Sequence, residues 1–371
     1  MVGTMPTVAD IATTLRAWAP LAAAADWDNV GLLLGDPTAP ADRILTCLTI
    51  TPPVVAEALA DRRQMIITHH PILFRGVKRL TDDQAESRVV ADLIRGRVAV
   101  YSAHTAYDNA PGGINDQIGQ ILGVSQPRPL RVAASSGDCK VVVFAPDADL
   151  APVMDAMFAA GAGRIGQYRE CSYRLSGTGS FRATEGANPT VGSIGSREEV
   201  AEWRLEVVCS EASLAAVLRA MRDAHSYEEP AFDVYPLRTT AGHVGAGRYG
   251  ELNEPITLGA VAERVRSALR CGPVAVVGEF GRPVRRLAWA CGAAGEFLDD
   301  AMRVGADLFL TGELRFHDAL RAQARGVALA IPGHYATERF AMESLAARLK
   351  AAHAECDVTA SAAEREPFQW V

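Results

Sequence analysis

Eight histidines occur in 371 residues, and most of them stand where an apolar run ends. His69 and His70 close the run MIITHH and precede Pro71, which cannot extend a strand ladder. His104 and Asp108 lie at and just past the end of VAVYSAHT. Glu313 and His317 follow DLFLTG, and His334 and Glu338 follow VALAIPG. Imidazoles and carboxylates are donors for transition metals, and open α/β sheets bind their ligands outside the carboxyl ends of strands. Four such ends point these donors toward one rim.

Taken singly, each residue also has an ordinary reading. Neighbours on a strand face opposite sides, so His69 and His70 alone read equally as one core and one surface histidine. Only where the backbone turns at a strand's end can both reach one site. His334 and Glu338 are i, i+4 on one helix face, which suits two ligands or a plain salt bridge. His104 and His317 read as packing or as support behind a metal ligand as readily as ligands themselves.

Together His69, His70, Asp108, His334 and Glu338 form a mixed set suited to zinc, iron, manganese or nickel and poorly suited to calcium or magnesium. Five protein ligands exceed what one open catalytic zinc takes. They suit two divalent ions about 3.5–4 Å apart with one bridging carboxylate, a role assigned to Glu338. Two carboxylates and a bridging hydroxide leave such a pair with a net charge of about +1, which favours a small anionic substrate such as a phosphate ester or nucleotide. His104 and Glu313 are the candidate proton carriers, and Arg75 and Lys78 are candidate phosphate contacts.

These residues need a scaffold that presents strand ends side by side. From residue 43 the chain alternates β-type and helical runs: RILTCLTI, PPVVAEALADRR, MIITHH, DDQAESRVVADLIRG, VAVYSAHT and GGINDQIGQILG. That βαβαβα order predicts an open α/β sheet. Val89, Val90, Leu93 and Ile94 form the expected core stripe of one covering helix. The rhythm returns in RRLAWAC, GEFLDDAMRVGA, DLFLTG, ELRFHDALRAQARG, VALAIPGH and YATERFAMESLAARLKAA.

Between the two halves the pattern changes. CKVVVFAP and EWRLEVVCS read as strands, DLAPVMDAMFAAG and EASLAAVLRAMRDA as helices, and 174–199 as a long Gly/Pro/Ser/Thr-rich loop. This predicts an inserted α+β domain of ferredoxin-like type, bounded by the linker-like stretches SQPRPLRVAASSGD and RTTAGHVGAG. The division expected is 1–127 and 241–371 for a discontinuous three-layer α/β metal-binding domain and 128–240 for the insert. Residues 161–166 and 245–250 both satisfy G-x-G-x-x-G, but neither follows a strand and opens a helix, so both are read as turns.

Composition sets the outer bounds. Thirty-seven basic and forty-four acidic side chains give a formal charge of −7, which supplies no basic field for nucleic acid. Seven scattered cysteines without a Cys-x-x-Cys pair argue against a disulfide framework and fit a reducing cytoplasm. MVGTMPTVADIATTLRAW is an amphipathic helix pattern lacking a signal sequence's apolar region, and no run of eighteen apolar residues occurs to span a membrane.

With these residues assembled, the sequence resembles the dinuclear-metal family called GTP cyclohydrolase 1 type 2 homologues, or NIF-three-like proteins. The resemblance rests on DWDNVGLLLGD (26–36), THHPILF (68–74), SAHTAYDNAPGGIND (102–116), GADLFLTGE (305–313) and PGHYATER (332–339). It implies that His69, His70, Asp108, His334 and Glu338 hold two metal ions, and that the chain forms a toroidal homohexamer. It also implies a PII/CutA-like insert, through FAAGAGRIGQY, the CSY and GTGSF pieces, EGANPTVG and AHSYEEPAFDVYPL. Two positions depart from the family: Thr49 stands where an aspartate is frequent, and Gly292-Ala-Ala-Gly295 where Gly-Ser-Gly is frequent. The implied activity is a metal-dependent hydrolase. Ligands suited to open catalytic metals suit exchangeable storage equally, so the alternative is a non-enzymatic metal-handling hexamer with a regulatory sensor domain.

Overall fold

A computed structural model describes residues 5–132, 138–237 and 244–369. The chain separates into two compact units, Met1–Ala133 together with Gly242–Val371, and Ala134–Ala241.

The first unit opens with α1 (Val8–Trp18), whose start is fixed by a capping box. Thr7 Oγ1 accepts from the Asp10 N–H at 3.3 Å and Asp10 Oδ2 from the Thr7 N–H at 2.8 Å. Then come β1 (Gly31–Leu34), β2 (Arg43–Cys47), α2 (Pro52–Ala60), β3 (Met65–Thr68), α3 (Ala85–Arg95) and β4 (Ala99–Ser102). α4 (His104–Asn109), α5 (Ile114–Leu122) and β5 (Arg128–Val132) complete this segment. β2, β3 and β4 pair in parallel, and their buried faces explain their unbroken apolar runs. Of the stripe expected on α3, Val89, Val90 and Leu93 are buried, but Ile94 is 48% exposed. At about 100° per residue it lies a quarter-turn past Leu93, beyond the edge of the stripe.

The second unit contains β6 (Asp138–Ala145), α6 (Asp147–Ala159), β7 (Ser172–Arg182), β8 (Arg197–Ser210), α7 (Glu211–Ala224) and β9 (Phe232–Pro236). Its four strands lie in the antiparallel order β7-β8-β6-β9, a βαββαβ arrangement. The expected loop at 174–199 is corrected. Residues up to Arg182 form β7, and β8 begins at Arg197, the two pairing along their length. β7 is an edge strand and is exposed on both faces over most of its length, so no apolar alternation marks it in the sequence.

The first unit resumes with β10 (Gly245–Thr257), α8 (Leu258–Leu269), β11 (Ala275–Val277), β12 (Pro283–Ala293), α9 (Leu298–Arg303) and β13 (Leu308–Glu313). α10 (Phe316–Ala324), β14 (Ala328–Ile331), α11 (His334–Arg339), α12 (Ala341–Ala352) and β15 (Asp357–Ala360) follow. Its strands make two sheets, ordered β1-β4-β3-β2-β15 and β11-β14-β13-β12-β10-β5. β12, β13 and β14 are parallel, and β15 joins the first sheet beside β2.

Two further expectations are corrected in this unit. The stretch read as a linker at 125–138 contains β5, which pairs with β10. The glycine-rich 245–250 is no turn but the start of β10, held between β5 and β12, and of its three glycines only Gly247 has positive φ. At 161–166, by contrast, Gly161, Gly163 and Gly166 all take positive φ, as turns require. All seven cysteines are free, and no helix among the described residues is long and apolar enough to cross a membrane.

Candidate metal centre

Both sheets of the first unit deliver polar side chains to one cluster from their strand ends. His69 and His70 follow the last residue of β3, and α4, after β4, carries His104 and Asp108. From the other sheet, β13 ends on Glu313, and α11, after β14, carries His334 and Glu338. His104 begins its helix at φ +26°, a sparsely populated backbone for a non-glycine residue, and such strain tends to collect at functional sites.

Glu338 is the centre of the cluster and only 3% exposed. Its Oε2 lies 3.0 Å from His70 Nε2 and 3.1 Å from His334 Nε2, while its Oε1 faces His69 Nε2 at 3.9 Å. Its two oxygens thus address different imidazoles. Burial opposes its charge, yet the hydrogen bonds from His334 and His70 outweigh burial and hold the carboxyl well below its usual range. His334 is correspondingly pushed up to about 9, by its hydrogen bond with Glu338 against burial and with help from Glu313. Space for the Glu338 carboxylate exists because position 292 is glycine: a Cβ there would meet Glu338 Oε1 at 2.3 Å.

His69 is 1% exposed, and neither ring nitrogen has a hydrogen-bond partner among the described residues. An imidazole buried with both nitrogens unpaired is a costly arrangement for a merely structural residue. Burial pushes its pKa down to about 3, so the ring is neutral and keeps a free lone pair. Asp108 Oδ1 faces His69 Nε2 at 3.6 Å and accepts from Cys291 Sγ at 3.1 Å. Burial and the charge of Glu338 push the Asp108 carboxyl up. The Cys291 thiol is itself raised by burial and by Asp108, so it is a neutral donor and no nucleophile.

Ligand-capable atoms of His69, His70 and His104 lie within 4.8 Å of one another, as do those of His70, His334 and Glu338. Two overlapping groups thus share His70. Their donor chemistry and the unpaired nitrogens of His69 fit transition-metal ions. A third group, His353, Glu355 and Cys356, also lies within that distance. There His353 Nε2 is hydrogen-bonded to Thr14 at 2.8 Å and Cys356 Sγ to the Ala41 carbonyl at 3.6 Å.

A surrounding layer fixes the rings. Asp28 Oδ1 accepts from His104 Nδ1 at 2.7 Å, and its other oxygen takes the Thr105 N–H and hydroxyl. Burial opposes the charge on both members of this pair, but their mutual hydrogen bond prevails. Asp28 is held low and His104 is raised, with further support from Asp108. Thr49 Oγ1 lies 2.7 Å from His70 Nδ1, and Glu313 Oε1 accepts from His334 Nδ1 at 2.8 Å.

Glu313, expected to carry protons, is therefore placed behind a ring of the cluster. His317 is exposed on α10 with its ring beside Phe316, and among the described residues no hydrogen bond or ring contact links it to the cluster. Arg75 and Lys78 are exposed in the loop after Pro71. Sequence reasoning missed Asp28 and the hydroxyl of Thr49 as orienting groups. Asp28 sits in the motif DWDNVGL, but only tertiary pairing reveals what it holds.

A model of the Duf34/NIF3 family (NGG1p interacting factor 3) matches residues 6–367. The chain belongs to the Duf34/NIF3 family. A Halalkalibacterium halodurans protein named GTP cyclohydrolase 1 type 2 homolog is 34% identical over 357 residues, covering 95% of this chain and 96% of its own. A Mycobacterium leprae protein of the same name is 38% identical over 337 residues, 89% and 86% of the two chains. The crystal structure of a Bacillus cereus protein related to NIF3 superposes with a TM-score of 0.75, at 33% identity and full coverage of both chains.

Proposed function

We propose that this Duf34/NIF3 chain is a dinuclear metal-dependent hydrolase acting on a small nucleotide-like or phosphorylated anion. His69, His70, Asp108, His334 and Glu338 hold the two ions, and His104 stands beside them. The observation that carries the reading is His69: a fully buried neutral imidazole, unpaired at both nitrogens, facing two carboxylates. The relatives' name, GTP cyclohydrolase 1 type 2 homolog, agrees with a nucleotide-like substrate and leaves the reaction open.

A pair of divalent transition-metal ions supplies Lewis acidity at the point where negative charge develops. The chain's own residues do the rest. Glu338 offers one oxygen to each group of imidazoles and is suited to bridge. Asp28 keeps the proton of His104 on Nδ1, which leaves Nε2 to take or return a proton. Thr49 and Glu313 fix the rings of His70 and His334 from behind.

In the same reading the first unit is the metal-binding domain, the second is a PII/CutA-like insert, and the assembly is a cytoplasmic homohexamer. The test is elemental analysis of chelator-free protein, followed by a screen against nucleotides, phosphoesters and cyclic amides beside His70→Ala and Glu338→Ala. Two ions per chain and turnover by wild type alone are expected. One ion or none after reconstitution refutes the dinuclear centre. Rapid transfer of metal to an acceptor protein without turnover replaces hydrolysis with metal handling.

A further inference from the structure

The candidate centre has an aromatic wall that the metal chemistry does not use. Trp27 is 60% exposed and Phe74 is 49% exposed, yet both are held in place. The residue after Trp27 is Asp28, whose buried carboxylate is tied to His104 and Thr105. Next along the chain, Asn29 Nδ2 donates to the Leu73 carbonyl at 3.1 Å, which fastens the Trp27 loop to the loop bearing Phe74. Leu73 takes φ +56°, strained for a leucine, so that second loop is also kept in an unusual shape.

The result is two solvent-facing rings 5.9 Å apart and inclined at 63°, with Trp27 also 5.9 Å from the His104 ring. Exposed large aromatics are ordinary when scattered. Here two are joined, anchored through a functional carboxylate, and set against a histidine of the cluster. Cations stand in the same stretch, since Arg75 directly follows Phe74 and Lys78 lies three residues further.

We propose that Trp27, backed by Phe74, is the platform on which a planar heteroaromatic ring of the substrate stacks while its anionic part faces the metal centre. This deepens the hydrolase reading by making a base, and not a bare sugar phosphate, part of what is recognised. Stacking on an indole face discriminates planar rings from saturated ones but tolerates different bases. Trp27 is thus a specificity-determining residue and Asp28 the residue that positions it.

The test uses the full chain, both metal-free and zinc-loaded, with Trp27→Leu and Trp27→Phe. The probes are adenosine and guanosine, which carry a base without phosphate, and ribose 5-phosphate, which carries phosphate without a base. Binding is read by calorimetry and by quenching of tryptophan emission, taking the part lost in Trp27→Phe as that of Trp27.

Both nucleosides are expected to bind and quench with or without zinc. Trp27→Leu should weaken them about tenfold or more, and Trp27→Phe should retain most of the affinity. Ribose 5-phosphate should bind the zinc-loaded variants as it binds wild type. Nucleosides that fail to bind, or that bind Trp27→Leu as tightly as wild type, overturn the proposal. So does a change of sedimentation coefficient in Trp27→Leu, which would give this wall to a second copy of the chain. Because the nucleoside measurements on metal-free protein need neither metal nor turnover, their failure is distinguishable from failure of the hydrolase reading.

Discussion

Gly292→Ala is the sharpest probe of the carboxylate that joins the two imidazole groups. Gly292 lies in β12 at φ +65°, and a Cβ there falls 2.3 Å from Glu338 Oε1 and 3.5 Å from His334 Nε2. Placing alanine in the left-handed region costs about 1–2 kcal/mol. To restore van der Waals contact the Glu338 carboxylate must also retreat by about 1 Å. Gly326→Ala separates the two effects, because Gly326 has φ +72° but nothing within 4 Å of a built Cβ. Both variants should therefore lower the melting temperature of metal-free protein by roughly 2–8 °C, the shift that such strain gives in a unit of this size. Only Gly292→Ala should lose metal, with affinity reduced by about 100-fold, the upper end for displacing groups around a metal ligand. Thermal unfolding in chelator gives the first quantity, and competition with a chromophoric chelator gives the second. Wild-type stoichiometry and affinity in Gly292→Ala would refute the central role of Glu338, as would equal metal loss in Gly326→Ala.

Other outcomes follow from the groups around the cluster. Thr49→Val removes the hydroxyl 2.7 Å from His70 Nδ1 and should weaken metal binding by about 10- to 100-fold, with Thr49→Ser restoring it in the same chelator competition. The Asp28–His104 pair gives a pH signature in metal-free protein. A lowered Asp28 contributes stability above about pH 4 that is lost as pH falls, and a raised His104 contributes stability below about pH 6.5 that is lost as pH rises through its folded pKa. Asp28→Asn should thus lower the melting temperature most between these limits, and a uniform loss from pH 4 to 9 would contradict the pair. In the register of β5 and β10, Gly245 lies opposite Val132. Replacing 133–244 by an Asn-Gly turn should close a hairpin and leave a folded, metal-binding unit, which circular dichroism and elemental analysis check. An unfolded or metal-free product would mean that this unit depends on the removed segment.

What was legible in the sequence follows from how each signal is made. The buried parallel strands β2, β3 and β4 announce themselves as apolar runs, and the polar residues just past such runs mark the rim, which is why His69, His70, His334 and Glu338 stand out. β7 gives no signal because both its faces are largely exposed, and β5 is disguised by Pro129 in an edge strand, where proline does no harm. Asp28 is 76 residues from the His104 it orients, and no periodicity links them. Glu313 was visible as a strand-end carboxylate, but its hydrogen bond to His334 was not. Whether such a group carries protons or holds a ring depends on a distance that only the fold supplies.

The helix α11 explains why the cluster and its support should move as one. It presents His334 and Glu338 to the cluster, while Arg339, the next residue, makes an ion pair with buried Glu364 at 2.7 Å. Glu364 in turn accepts from the backbone N–H groups of Leu48 at 3.0 Å and Thr49 at 2.6 Å. The Thr49 hydroxyl then meets His70. One short helix thus reaches His70 twice, through Glu338 at Nε2 and through Arg339, Glu364 and Thr49 at Nδ1. A buried ion pair contributes little net stability compared with apolar packing, but breaking it strands a charge, so its geometry is strongly enforced. That enforcement fixes α11 against the end of β2, and with it the relative placement of cluster side chains contributed by two different sheets. Because those side chains come from distant parts of the chain, an ion that bound them all would bind only the folded unit and stabilise it by mass action. Asp108 is raised by burial and by Glu338, so in the proposed centre its coordination would couple metal uptake to proton release.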